Sequence, residues 1–239
     1  MSKFPLQMYY ISFLRNVKKH SDSTIRHYQE ALRYISKYLL DHEKIQESIY
    51  EVKNLDELLI LKEFLYNQED FIALNTRGHH MYSAGLNNYI KFAEGESFVG
   101  IGDSALDSLD IVVPSQKEKT VRRLNTYARS TILKNQVIEL ADYKCELNQS
   151  HTTFIAKANS KPYMEGHHAL PISLQDHFDN SLDVYANIVC LCPTCHRLMH
   201  YGMDLEKKDA VDKVYYSRKD RLAKSGIQLS RDEFEQLAL

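Results

Sequence analysis

The sequence predicts a mainly α protein that carries one small α+β unit in its C-terminal half. Three observations predict this. Apolar residues recur at helical spacing over the first 95 residues. Gly95, Gly100, Gly102 and Pro114 break that pattern between Glu94 and Ser115. All four cysteines fall between Tyr143 and Gly202, among apolar runs of strand length. The organisation that follows is a helical bundle over 1–95, a linker over 96–116 and a second domain over 117–239. A chain of 239 residues can fill two such cores.

In the first domain, Pro5 suits the first turn of a helix with Tyr9, Tyr10, Phe13 and Leu14 on its apolar side. Ser21 is an N-cap for the next helix, where Ile25, Tyr28, Leu32, Ile35 and Leu39 form one stripe at gaps of 3 and 4. Arg26, Arg33 and Lys37 lie on the opposite face, as on any solvated helix. Asn54 caps a helix bearing Leu58, Leu61 and Leu65, and Asp70 to Leu74 reads as a short helical turn. His79-His80 opens a helix with Tyr82, Leu86, Tyr89 and Ala93 along one side, and no cysteine or carboxylate cluster accompanies this pair as partner ligands.

Formal net charge is −2, so global charge does not mark a nucleic-acid binder, and any such binding needs local basic surfaces. The best local surface is Lys117 to Lys134, where Lys117, Lys119, Arg122, Arg123, Arg129 and Lys134 face Glu118 alone. Hydrophobic residues at 44% and charged residues at 26% are ordinary for a soluble protein. No signal-peptide run and no membrane span is apparent, which makes a cytoplasmic location the expectation. Cysteines clustered with histidines suit metal binding in a reducing compartment better than a disulfide framework.

Cys192-x-x-Cys195 has the spacing that brings two thiolates onto one ion across a tight turn. Two reduced core cysteines would give the same pair. Upstream, Cys145 is the only thiol, and Asn148 three residues on is a poor zinc ligand. His151 completes a Cys₃His set of Cys145, His151, Cys192 and Cys195 around a structural zinc ion. Cys190 alternates with Ile188 on an apolar strand and reads as a buried thiol.

A second cluster is imidazole-rich. His196 and His200 are four residues apart and share a helix face, so they can converge on one cation. His167-His168 ends a strand expected from Pro162 to His167, and adjacent strand residues point to opposite sides. One imidazole can therefore hold a metal while its neighbour faces a substrate. A lone His-His pair at a turn is usually surface. This pair instead coincides with a strand, a loop, a second strand and a helix with two more histidines.

Glu165 to Pro171 followed by Asn187 to His200 resembles the HNH nucleases, whose site is a two-stranded hairpin plus a helix around one divalent metal, the ββα-metal fold. The resemblance covers about 60 residues, and it lacks the upstream Cys-x-x-Cys of many members. It implies that His167 and His196 are metal ligands, with His200 the extra histidine of the colicin-type branch. His168 is then the general base and Asn187 the residue that holds the loop and orients it. The implied activity is phosphodiester hydrolysis with Mg²⁺, Mn²⁺ or a similar ion, leaving 5′-phosphate and 3′-hydroxyl ends. His168, neutral near pH 7, can take a proton from the attacking water. Glu165 reads as a strand surface residue, and Arg197 reads either as a phosphate contact or as solvated.

Residues 1–95 resemble, diffusely, the SAM-like helical DNA-binding domain of tyrosine integrases. Past Gly202, Leu205 to Ala223 reads as a helix with basic residues Arg218, Lys219, Arg221 and Lys224, and Gly226 as its C-cap. Ser230 and Glu233 form a capping box for a last short helix. The expected protein is a restriction-type endonuclease acting on double-stranded DNA, a homodimer if it cuts both strands. The alternative is a zinc-stabilised nucleic-acid-binding regulator without catalysis. A tyrosine recombinase is disfavoured because the Cys/His module occupies the place of its catalytic domain.

Overall fold

A computed structural model describes residues 4–115 and 129–239, in two compact units, Met1–Ser97 and Phe98–Leu239. The first is helical: α1 (Pro5–Ser12), continued by a wider turn over Phe13–Val17, then α2 (Asp22–Asp41), α3 (Leu55–Tyr66), α4 (Glu69–Arg77) and α5 (Met81–Glu94). Local chemistry sets these limits. Ser21 Oγ accepts the Thr24 N–H at 3.3 Å and Asn54 Oδ1 accepts the Asp56 N–H at 2.8 Å, so each satisfies donors left unpaired at a helix start. α5 ends at Gly95 in the left-handed region (φ 85°), a conformation that costs glycine little.

The stripe of α2 is buried at Ile25, Leu32, Ile35 and Leu39, and it packs on Tyr82, Leu86, Tyr89 and Ala93 of α5. The two helices approach closely enough that a Cβ on Gly85 would lie 2.7 Å from the Ala31 Cβ. Tyr10, Tyr50, Tyr89 and Phe92 fill the end of this core as an aromatic cluster. His79 and His80 sit in left-handed turns between α4 and α5 and join no metal-ligand group among the described residues.

The second unit begins earlier than the linker expected over 96–116. Phe98, Leu109 and Val113 are buried, and the Ser181 N–H donates to Val113 O at 2.7 Å. Asp110 takes two hydrogen bonds from Arg221 at 2.7 and 2.9 Å. Residues 98–115, including α6 (Asp103–Asp107), are therefore packed structure rather than an open connector. Turn-forming glycines suggested a connector, but the apolar residues between them decide where the segment lies.

α7 (Thr131–Leu140) starts at Ser130, whose Oγ accepts the Leu133 N–H at 3.2 Å. β1 (Glu165–His168) and β2 (Ile188–Leu191) form one antiparallel pair in which His167 faces Val189 and His168 faces Ile188. The strand is shorter than the expected Pro162–His167, because Pro162 joins only an isolated bridge to Ile155. α8 (Pro193–Tyr201), α9 (Asp204–Lys224) and α10 (Arg231–Ala238) follow. Gly226 (φ 78°) ends α9, and the Ser230–Glu233 capping box opens α10. Among the described residues, no helix is long and apolar enough to cross a membrane.

Three cations of α9 are paired with carboxylates. Arg218 is buried against Glu146, Arg221 pairs with Asp110, and Lys224 lies 2.8 Å from Asp107. This helix therefore offers less free positive surface than its sequence suggests.

Candidate active site

β1, β2 and α8 bring the two ligand-rich clusters together because one short helix and its N-cap carry two members of each. Cys192 precedes Pro193, the first residue of α8, and its Sγ accepts the Cys195 N–H at 3.5 Å. One turn on, His196 and His200 leave α8 on the face turned to β1.

Cys145, His151, Cys192 and Cys195 place one ligand atom each within 4.8 Å of one another. His151 Nδ1 lies 3.4 Å from Cys192 Sγ and 3.3 Å from Cys195 Sγ. Zinc bonds of roughly 2.3 Å to sulfur and about 2.0–2.1 Å to nitrogen make a tetrahedral S···N edge of roughly 3.6 Å, so the group fits zinc closely. Burial opposes ionisation of Cys145. The N–H groups of Cys192 and Asn148, together with His151, outweigh it and bring the thiol down to about 7, favouring the thiolate a metal needs. Burial pushes Cys190 up, and it stands outside the cluster as an inert core thiol.

His167, His196 and His200 form the second group, with ring centroids 4.8–5.1 Å apart. His196 Nε2 and His200 Nε2 are 3.2 Å apart. Two imidazole nitrogens on one ion, with bonds of about 2.0–2.1 Å, would be separated by roughly 2.9–3.4 Å, so this edge also fits a shared cation. Burial, reinforced by His196 and His200, holds His167 down to about 3, and His200 is lowered by burial and by His196. Such imidazoles keep their lone pairs at neutral pH, the form that binds metal. Glu165 contacts His196 Nδ1 and accepts from Tyr163 Oη at 3.1 Å. Glu165 Oε2 and His196 Nδ1 do not meet in hydrogen-bond geometry, but the negative charge beside Nδ1 favours a proton there and leaves Nε2 for the cluster.

His168 points to the other side of β1, buried, with Nε2 2.9 Å from Asp183 Oδ1. Asn187 braces the intervening loop. Its Nδ2 donates to Leu170 O and Leu182 O, both at 2.9 Å, and its Oδ1 accepts the Leu170 N–H at 2.8 Å. It holds the loop, as the resemblance implies, but the polar partner of His168 is Asp183.

A cavity of about 100 Å³ is lined by Arg129, Lys134, His167, His168, His196 and His200 among others. Gly166 lets β1 approach α7 closely, since a Cβ there would lie 3.0 Å from the Lys134 Cβ. Arg197 is outside this lining, exposed, with its guanidinium 5.7 Å from the Tyr201 ring centroid. Lys117, Lys119, Arg122 and Arg123 lie outside the described residues.

Sequence reasoning missed Asp183 and Glu146 and undervalued Glu165. Asp183 had a signal, since it is the one charged residue in the run Leu182 to Cys192. Glu146, which accepts the Cys190 N–H at 2.7 Å and pairs with Arg218, had none.

No family model matches the chain. Over 102 residues, 42% of its length, the chain is 30% identical to the type IV methyl-directed restriction enzyme EcoKMcrA of Escherichia coli. The match spans 34% of that relative, about a third of its length.

Proposed function

We propose that this chain is a metal-dependent DNA endonuclease of HNH type that acts in restriction. One observation carries the reading: His167, His196 and His200 bring their ligand atoms within 4.8 Å of one another, and His168, the next residue on the hairpin, lines the same cavity. The partial similarity to a restriction enzyme supports it.

His167, His196 and His200 would hold the catalytic ion, and Cys145, His151, Cys192 and Cys195 a structural zinc. When bound, a divalent ion supplies Lewis-acid stabilisation of the charge that builds on the phosphate and the leaving oxygen. The chain's own residues do the rest. His168 accepts the proton of the water that attacks phosphorus. Arg129 and Lys134, on the cavity wall, offer positive charge to the phosphodiester. Asn187 keeps the 168–187 loop closed so that His168 stays on its side of the hairpin. Lys117, Lys119, Arg122, Arg123 and Arg197 extend the phosphate track, and the helical unit over 1–97 positions the duplex. One such centre cuts one strand, so double-strand cleavage takes a homodimer.

The test is incubation of the zinc-loaded protein with modified and unmodified plasmid in Mg²⁺, Mn²⁺ or Ni²⁺, followed by end mapping. Cleavage leaving 5′-phosphates is expected. His168→Ala should lower the rate about 10²–10⁴-fold with DNA binding retained. Folded protein that binds DNA but cuts under none of these conditions would leave the rival reading, a zinc-stabilised nucleic-acid-binding regulator, which the Cys₃His cluster alone would serve.

A further inference from the structure

We infer that Asp183 is a positioning residue that locks His168 into a single tautomer, with the proton on Nε2 and the Nδ1 lone pair left for the substrate side. The inference rests on the nuclease reading for its purpose, but its geometry stands alone. Asp183 is itself clamped. Its N–H donates to Ser181 Oγ at 3.1 Å. The preceding Leu182 is held through its N–H to Gln175 Oε1 at 2.7 Å and through its carbonyl to Asn187. The carboxylate then serves two elements at once. Oδ2 accepts the Ser130 N–H at 2.8 Å, where α7 begins, and Oδ1 meets His168 Nε2 at 2.9 Å.

An ionised carboxylate can only accept hydrogen bonds, so the nitrogen facing it must carry a proton. That assigns Nε2–H to His168 and leaves Nδ1 as the basic nitrogen. Nδ1 has no hydrogen-bond partner among the described residues, and His168 lines the cavity shared with His167, Arg129 and Lys134. Asn187, which the sequence suggested as the orienting residue, gives its side-chain bonds to the backbone of the loop. Loop closure and base orientation thus fall to different residues. Asp183 also ties the base to the start of α7, the helix that brings Lys134 to the cavity.

Asp183→Asn separates this role from mere packing. The Ser130 N–H demands an acceptor, so the amide oxygen turns to Ser130 and the NH₂ turns to His168. An NH₂ facing Nε2 forces the proton onto Nδ1, the tautomer that cannot act as a base on the substrate side. Shape and volume hardly change. The expected result is a kcat about 10²–10⁴-fold lower, with KM, DNA affinity, metal content and Tm unchanged. Long-range ¹H–¹⁵N correlation of the imidazoles, in full-length zinc-loaded protein with Mg²⁺, should report Nε2–H for His168 in the wild type. The signal is assigned by its loss in His168→Ala. In Asp183→Asn it should report Nδ1–H. A wild-type His168 protonated on Nδ1, or an Asp183→Asn enzyme with undiminished kcat, overturns the inference. Should Asp183→Asn not fold, the wild-type spectrum alone decides. Should the wild type cut no DNA, the nuclease reading falls, while the same spectrum still tells whether Asp183 sets the tautomer.

Discussion

The buried Arg218–Glu146 pair should be the most sensitive point of the second unit outside the metal clusters. Arg218, on α9, is 7% exposed. It pairs with Glu146, next to Cys145, and approaches Ile188 O of β2 at 3.4 Å. Replacing it with Met keeps the apolar stem and leaves Glu146 as a charge without its cation. Breaking a buried pair costs about 3–5 kcal/mol. The Glu146 side chain is 24% exposed, so water recovers part of this and the low end, roughly 3 kcal/mol, is expected. For a unit of this size that corresponds to a Tm about 10 °C lower. Arg218→Met with Glu146→Gln should be less destabilised than Arg218→Met alone, because the charge is gone while Gln can still accept the Cys190 N–H. Urea titration of zinc-loaded protein, followed by tyrosine emission in a chain with 16 Tyr and no Trp, gives the stability change. Hydrogen exchange localises it to the strands of the second unit. A loss under about 0.5 kcal/mol for Arg218→Met, within the range of ordinary surface substitutions, would refute the reasoning.

Two further outcomes follow from the clusters. Glu165→Gln should weaken Mn²⁺ binding about 10–100-fold, measured by calorimetry, because it removes the negative charge beside His196 Nδ1; unchanged affinity would show that the contact orients nothing. Cys195→Ser should lower the zinc content read by elemental analysis and loosen exchange protection over 145–151 and α8, whereas Cys190→Ser should leave zinc content intact.

Elements defined by periodic burial or by a cap were legible. The α2 stripe, the Ser21 and Asn54 caps and the Ser230–Glu233 box follow from side chains within one turn of each other. The metal-type groupings were legible because ligand chemistry restricts residue types, and the two members of each short motif are fixed by one helical turn. The partners that hold those residues were not. Asp183 meets His168 across 15 residues, Arg218 meets Glu146 across 72, and Arg221 meets Asp110 across 111. No local pattern encodes such pairings. For the same reason residues 98–115 resembled a connector, since only tertiary contact reveals that Leu109 and Val113 are core.

The two clusters are mechanically one device. α8 is nine residues long, too short to hold its helical form alone. Its N-terminus is pinned where Cys192 and Cys195 meet Cys145 and His151, and its last turn is pinned where Met199 is buried. The rotation of α8 about its axis, and hence the direction in which His196 and His200 point, is set one turn upstream by Cys192 and Cys195. His167 comes instead from β1, whose register is fixed by β2, and β2 runs through Cys190 and Leu191 directly into Cys192. Both arms of the three-histidine cluster are therefore referenced to the same Cys₃His knot. A small unit with one strand pair and no large sheet has few other means of holding imidazoles to the fraction of an ångström that shared coordination requires. Metal bound at the knot would thus act as the rigid element against which His167, His196 and His200 are placed.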